Sequence, residues 1–202
     1  MYRMPFIIEK LWNKKIFFKG TSNEKTLYLS FDDGPHPDIT RQVLEILSEY
    51  QAKATFFCIG SNMEKYPLAF QEIIKNGHRI GNHSMTHLDG WKTPLKTYLD
   101  DINECDKLIG SNLFRPPYGR IHPLSIGPLR RKYQIVLWSL LSRDFDINIQ
   151  AEECTKQTLK NVKNGDVIVF HDSEKALPRL LHCLPALLKT YTDKGFEFRS
   201  LP

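Results

Sequence analysis

Seven short apolar runs, each followed by a longer amphipathic stretch, set the strongest limit on how this chain can fold. The runs cover residues 27–31, 55–59, 79–82, 113–115, 135–139, 167–170 and 197–199. They have the length and β-branched or aromatic character of buried strands. Between them, residues 38–50 place Ile39, Val43, Leu44 and Leu47 on one helical face. Residues 66–76 stop at Gly77, Thr93 precedes Pro94 as a cap before a helix reaching Gly110, and further helices are predicted after Ile149 and over 180–194. Strands alternating with helices predict parallel pairing under a helical layer. Repeated this often in one domain, the pattern predicts an α/β barrel or near-barrel, in which chemistry gathers at the C-terminal ends of the strands.

A chain of 202 residues suits one such domain. The basic surplus is slight: 28 Lys and Arg against 23 Asp and Glu leave +5, and the densest basic spot is Arg130-Arg131-Lys132. That excludes the long basic stripe of a nucleic-acid binder. Cys58, Cys105, Cys154 and Cys183 contain no CxxC pair, so buried or free thiols are expected rather than a zinc cage or disulfide frame. Residues 1–24 read as a lead segment packed on the domain formed by 25–202. Their apolar run 4–8 is too short and too interrupted for a signal peptide, and no stretch is long enough to span a membrane. With Met1 as the natural start, a cytoplasmic location is expected. The sequence is silent on oligomeric state.

Polar clusters follow the apolar runs, as the barrel reading requires. Asp32-Asp33-Gly34-Pro35 follows the first run, His83-Ser84-Met85-Thr86-His87 the third, and Arg115-Pro116-Pro117-Tyr118-Gly119 the fourth. Asp144 lies past the fifth, and His171-Asp172 follows the sixth. Neighbouring carboxylates at a strand end point in different directions, so one can bind a metal while the other accepts a proton. Two histidines four apart share a face if their segment is helical, and with one carboxylate they make a catalytic zinc set that keeps a position open. The two prolines and Gly119 fix a rigid segment able to aim the Tyr118 N–H at an oxyanion, while Arg115 can grip a carboxylate. His171 suits a general acid, and a hydrogen bond to Asp144 would keep it protonated.

Together these clusters resemble the polysaccharide deacetylase family, the NodB homology domain of carbohydrate esterase family four. Ser30-Phe31-Asp32-Asp33-Gly34-Pro35 matches its first motif, His83 to His87 its second, Arg115 to Gly119 its third, and Ile168 to His171 its fifth. The likeness runs over residues 25–200. It implies a distorted, TIM-barrel-like (β/α) barrel of about seven parallel strands. It implies a divalent cation, zinc first with cobalt or nickel as alternatives, held by Asp33, His83 and His87. It further implies Asp32 as general base, Arg115 orienting Asp32, the Tyr118 N–H on the oxyanion, and His171 as acid tuned by Asp144.

The fourth motif departs: Leu141 stands where the family has an acidic residue, and Phe145 where it has Trp. The implied function is a metal-dependent hydrolase that removes N-acetyl groups from amino sugars of a peptidoglycan or chitin-like glycan through a metal-activated water. The departures keep open a deacylase of the same fold acting on a small or lipid-linked N-acyl substrate. A non-catalytic glycan-binding module is the remaining alternative. Rim loops at 53–54, 62–66, 89–93 and 120–123 are expected to set specificity.

Overall fold

The computed structural model describes residues 2–4, 16–20 and 24–202. Eight strands occur among them: β1 (Thr26–Asp32), β2 (Ala54–Cys58), β3 (Arg79–Asn82), β4 (Leu113–Phe114), β5 (Gln134–Ile135), β6 (Leu140–Leu141), β7 (Val167–His171) and β8 (Glu197–Phe198). Seven helices run between or beside them: α1 (Pro37–Glu49), α2 (Gly60–Lys65), α3 (Pro67–Lys75), α4 (Leu95–Ile109), α5 (Ile126–Arg130), α6 (Ala151–Asn161) and α7 (Leu177–Thr192). The strand order is β5-β4-β3-β2-β1-β7-β6, with β8 beside β1, and every ladder is parallel. This is the expected α/β half-barrel of parallel strands. None of the helices described is long and apolar enough to cross a membrane.

β1 shows why the sheet sits at the centre. Its side chains alternate with period two, as a pleated strand demands. Leu27, Leu29 and Phe31 face the helical layer and pack in one cluster with Val43 and Leu47 of α1 and Leu184 and Leu187 of α7. Tyr28 faces the interior with Phe57, Leu113, Val136 and Val167. Phe31 is fully buried, its ring 4.9 Å from that of Phe56 and 5.9 Å from that of Phe170. The same alternation turns Ser30 and Asp32 inward, where both meet one buried arginine.

The fifth apolar run differs from expectation. Only Ile135 of it lies in a strand: β5 ends there on one edge of the sheet, and β6 begins just after the run on the other edge. Extended chain from Ile135 to Leu140 reaches at most about 18 Å, so the two edges must curl towards each other. The segment between them stitches the seam. Val136 N–H bonds to Phe114 O (2.8 Å) on one side and Ser139 N–H to Val167 O (3.2 Å) on the other. The described N-terminal residues fill the same seam: Leu137 N–H donates to Phe17 O (2.8 Å) and Leu141 N–H to Tyr2 O (2.7 Å). The remainder of the predicted lead segment, including residues 5–8 of its apolar run, lies outside the described residues.

One smaller expectation also changes. Thr93 does not cap α4. Its hydroxyl donates to Asp89 O (2.8 Å) inside a tight turn, and Pro94 takes the cap position. Gly110 does end that helix, with φ 58°. All four cysteines are buried thiols. Phe31 carries the packing between sheet and helices, so Phe31→Ala is expected to lower stability by about 3–5 kcal/mol, read as a fall in the urea midpoint.

Candidate active site

The β1 and β7 ladder sets two of the polar clusters side by side, because Asp32 pairs in register with His171. β3 and β4 deliver His83 and Arg115 just past their ends, and Arg115 N–H bonds to Asn82 O (3.0 Å). Asp32, Asp33, His83, His87, Tyr118 and His171 therefore line one cavity of about 300 Å³, together with Gly119, Arg120, Trp138, Leu141, Phe145 and Lys175. A larger groove of about 720 Å³ between α1 and α3 contains none of the acid, base or ligand candidates.

Asp33, His83 and His87 each offer one donor atom, and these atoms lie within 4.8 Å of one another. Asp33 Oδ1 is 3.7 Å from His83 Nε2 and 3.3 Å from His87 Nε2. His83 Nδ1 is 2.8 Å from Arg115 O, a partner that only accepts, so this nitrogen carries the proton and Nε2 keeps its lone pair for the cluster. Burial holds the His83 pKa down, at about 4, which keeps the ring neutral as a ligand must be. Burial alone would raise the Asp33 carboxyl, but the His87 hydrogen bond and the charge of His171 hold it below the usual carboxylate range. The donor set, its tautomer and its spacing fit a divalent cation.

The backbone that gathers this set is not helical. His83 and His87 sit in a loop in which Ser84 (φ 66°) and His87 (φ 61°) are left-handed. Side chains lock the loop: Asn82 Oδ1 accepts from Ser84 N–H (2.8 Å), Ser84 Oγ from His87 N–H (3.0 Å), and Asp101 Oδ2 of α4 from Met85 N–H (3.0 Å). These bonds, rather than a helical turn, bring the imidazoles together. Asp33 is left-handed too, at φ 79°, with its carbonyl accepting from Asn62 Nδ2 (2.7 Å).

Arg115 is fully buried and spends its donors on several partners. It donates to Asp32 Oδ1 (2.6 Å), Ser30 Oγ (2.8 Å) and Leu137 O (3.0 Å), and its guanidinium lies 4.1 Å from the Phe57 ring centre. Asp32 Oδ1 is thus occupied by the guanidinium. Asp144 is fully buried and grips His171 twice, with Oδ1 2.7 Å from Nδ1 and Oδ2 accepting from the His171 N–H at 2.8 Å. Burial would lower the His171 pKa, but the Asp144 carboxylate overrides it and raises the value to about 9. The His171 ring meets Phe145 edge-on at 5.0 Å. Tyr118 is left-handed (φ 59°), and its ring packs 4.5 Å from that of His87.

Asp172 had a place in the polar clusters but no role. Its buried carboxylate accepts from Gly34 N–H (3.0 Å) and Thr40 Oγ1 (2.5 Å), bracing the Asp32-Asp33 turn against α1. A side chain at Gly34 would strike that carboxylate at 2.0 Å. Trp138 and Lys175 also line the cavity, and no pattern in the sequence marks them out. Among the expected rim loops, 89–93 and 120–123 do flank the cavity side. Residues 53–54 do not: they begin β2 and therefore lie at the opposite end of the barrel. Residues 62–65 are the end of α2.

The model of the polysaccharide deacetylase family matches residues 19–131. The chain is 34% identical over 184 residues to a peptidoglycan-N-acetylglucosamine deacetylase of Bacillus cereus, covering 88% of this chain and 86% of that one. It is 30% identical over 205 residues to a chitooligosaccharide deacetylase of Azorhizobium caulinodans, covering 90% and 95%. Among solved structures it is similar to a peptidoglycan N-acetylglucosamine deacetylase in complex with 4-naphthalen-1-yl-N-oxidanyl-benzamide. There the TM-score is 0.90 and the identity 30%, over 98% of this chain and 95% of the other.

Removing Arg115 strands the buried Asp32 charge. Arg115→Met is expected to lower stability by about 3–5 kcal/mol in chemical denaturation, and adding Asp32→Asn should recover part of that loss.

Proposed function

This chain belongs to the polysaccharide deacetylase family, and from that premise we propose that it hydrolyses the N-acetyl groups of amino sugars in a glycan of the peptidoglycan or chitin-like class. The carrying observation is the convergence of a two-imidazole, one-carboxylate donor set with Asp32 and His171 in one cavity. We take residues 25–202 as the catalytic unit and 1–24 as its lead segment.

Asp33, His83 and His87 would hold a divalent cation, zinc in the first instance. When bound, such a cation supplies Lewis acidity, favouring ionisation of the attacking water and polarising the acyl carbonyl. The remaining work falls to the chain. Asp32 takes a proton from water, and because Arg115 occupies Oδ1, the receiving atom is Oδ2. The left-handed Tyr118 peptide offers its N–H to the oxyanion as the carbonyl becomes tetrahedral. With Nδ1 committed to Asp144, His171 delivers its proton from Nε2 to the leaving nitrogen. The C–N bond breaks, water supplies the new C–O bond, and acetate and free amine leave. Base and acid need opposite protonation at one pH. Asp144 beside His171 keeps the acid protonated.

A second reading, a deacylase of a small or lipid-linked N-acyl substrate, draws on Leu141 and Phe145 as apolar cavity wall. Comparing acetyl with longer acyl donors on monomeric, oligomeric and lipid-linked amino sugars separates the two.

Acetate release from N-acetylglucosamine oligosaccharides is expected to vanish after chelation and return with zinc or cobalt. Asp32→Asn should lower kcat by at least about 10²-fold while the bound metal content stays the same. His171 must be protonated to act, so kcat/KM is expected to fall as pH rises through about 9. Asp144→Asn removes the largest of the charges that raise this value and leaves only Asp33 and Asp32 against burial. The alkaline limb should then move down from about 9.

A further inference from the structure

Trp91 is the most conspicuous side chain that the reaction leaves unused. It is 67% exposed, whereas every other Phe, Tyr and Trp side chain among the described residues except Tyr118 is buried or half-buried. Exposed indole costs hydrophobic free energy, yet the loop that carries it is held rather than loose. The Asp89 carboxylate accepts from Trp91 N–H (3.0 Å) and from Arg120 Nη1 (2.6 Å), and Asp89 O accepts from Lys92 and Thr93 N–H (3.0 Å each). At Gly90 the loop touches the 120–122 segment so closely that a side chain would strike Arg120 O at 2.4 Å.

The loop is continuous with the cavity wall. Arg120 lines the cavity, and its guanidinium lies 5.3 Å from the Trp91 ring centre and 5.9 Å from that of Tyr118, which is itself 61% exposed and lines the cavity. Four side chains form a row from the donor cluster outward: His87, Tyr118, Arg120, Trp91. Arg120 lies over one face of the indole, and Trp91 as a whole remains mostly exposed.

We propose that Trp91 is a sugar platform for the residue of the glycan chain next to the one seated in the cavity, so that the preferred substrate is an oligosaccharide rather than a single amino sugar. A pyranose presents C–H bonds on one face and hydroxyls at its rim. The C–H face suits the electron-rich indole. The guanidinium donors not spent on Asp89 can meet ring hydroxyl or acetamido oxygens. A flat aromatic contact with a polar neighbour matches that chemistry better than an apolar protein partner, which would leave Arg120 and Asp89 facing hydrocarbon. The proposal rests on the reading of the cavity as a glycan deacetylase site.

The test uses the full zinc-loaded chain with chitotetraose and N-acetylglucosamine, following binding by calorimetry and acetate release by kinetics. Trp91→Ala is expected to weaken chitotetraose binding and raise KM roughly tenfold, the size of one lost aromatic contact, with kcat unchanged. Trp91→Phe should restore most of the affinity, and N-acetylglucosamine should not distinguish wild type from either variant. Chitotetraose binding that depends on Trp91 without acetate release would sink the deacetylase reading and leave the platform standing. Acetate release with tetraose affinity untouched by Trp91→Ala overturns the platform and leaves the deacetylase. An equal loss on both sugars, or no tetraose binding by wild type, also overturns the platform.

Discussion

A single buried ion pair, Arg115 with Asp32, holds the catalytic end of this barrel together. Both side chains are nearly or wholly removed from water. A charge taken inside a protein is tolerated only with a partner and with hydrogen bonds for its remaining donors. Here the guanidinium satisfies Ser30 and Asp32 of the central strand, and Leu137 of the seam, from its place past the end of β4. It therefore ties together three parts of the barrel that are remote along the chain. The same contact that joins these parts fixes the carboxylate proposed as the base.

A second paired group stands one ladder position away. Asp144 does for His171 what Arg115 does for Asp32, by supplying an opposite charge in a place water does not reach. The guanidinium gives Asp32 a fixed donor, while the Asp144 carboxylate raises the His171 pKa to about 9, and register makes the two neighbours across β1 and β7. The raised imidazole does not belong to the residue type; it comes from what the fold puts beside it.

Most of this was legible in the sequence where a local pattern carried it. The Asp32-Asp33 pair could be placed because it ends a buried apolar run, and a parallel strand that ends in carboxylates must present them at the C-terminal rim. The seam was not legible. Residues 135–139 read as one strand, since nothing local says that their hydrogen bonds divide between Phe114 on one edge and Val167 on the other. The His83–His87 pair was read through helical spacing, whereas Asp101, from a helix still to come in the chain, fixes the actual loop. Asp172 escaped assignment for the same reason. Its partner Thr40 lies 132 positions away, and a buried carboxylate looks no different in a string of letters from an exposed one.

The left-handed residues at the rim have a consequence for anyone redesigning this protein. Asp33, Ser84, His87, Tyr118 and Arg143 all have positive φ without being glycine. Each such residue carries a backbone penalty on the order of 1–3 kcal/mol that its surroundings must counter. Mutational freedom is therefore uneven around the rim. Leu141 and Phe145 sit in ordinary torsions on the wall and can be varied to reshape the acyl slot. A β-branched residue at Ser84 or Tyr118 would instead unwind the loop geometry that aligns its neighbours. Libraries aimed at new substrates belong on the wall, with the torsional hinges left as they are.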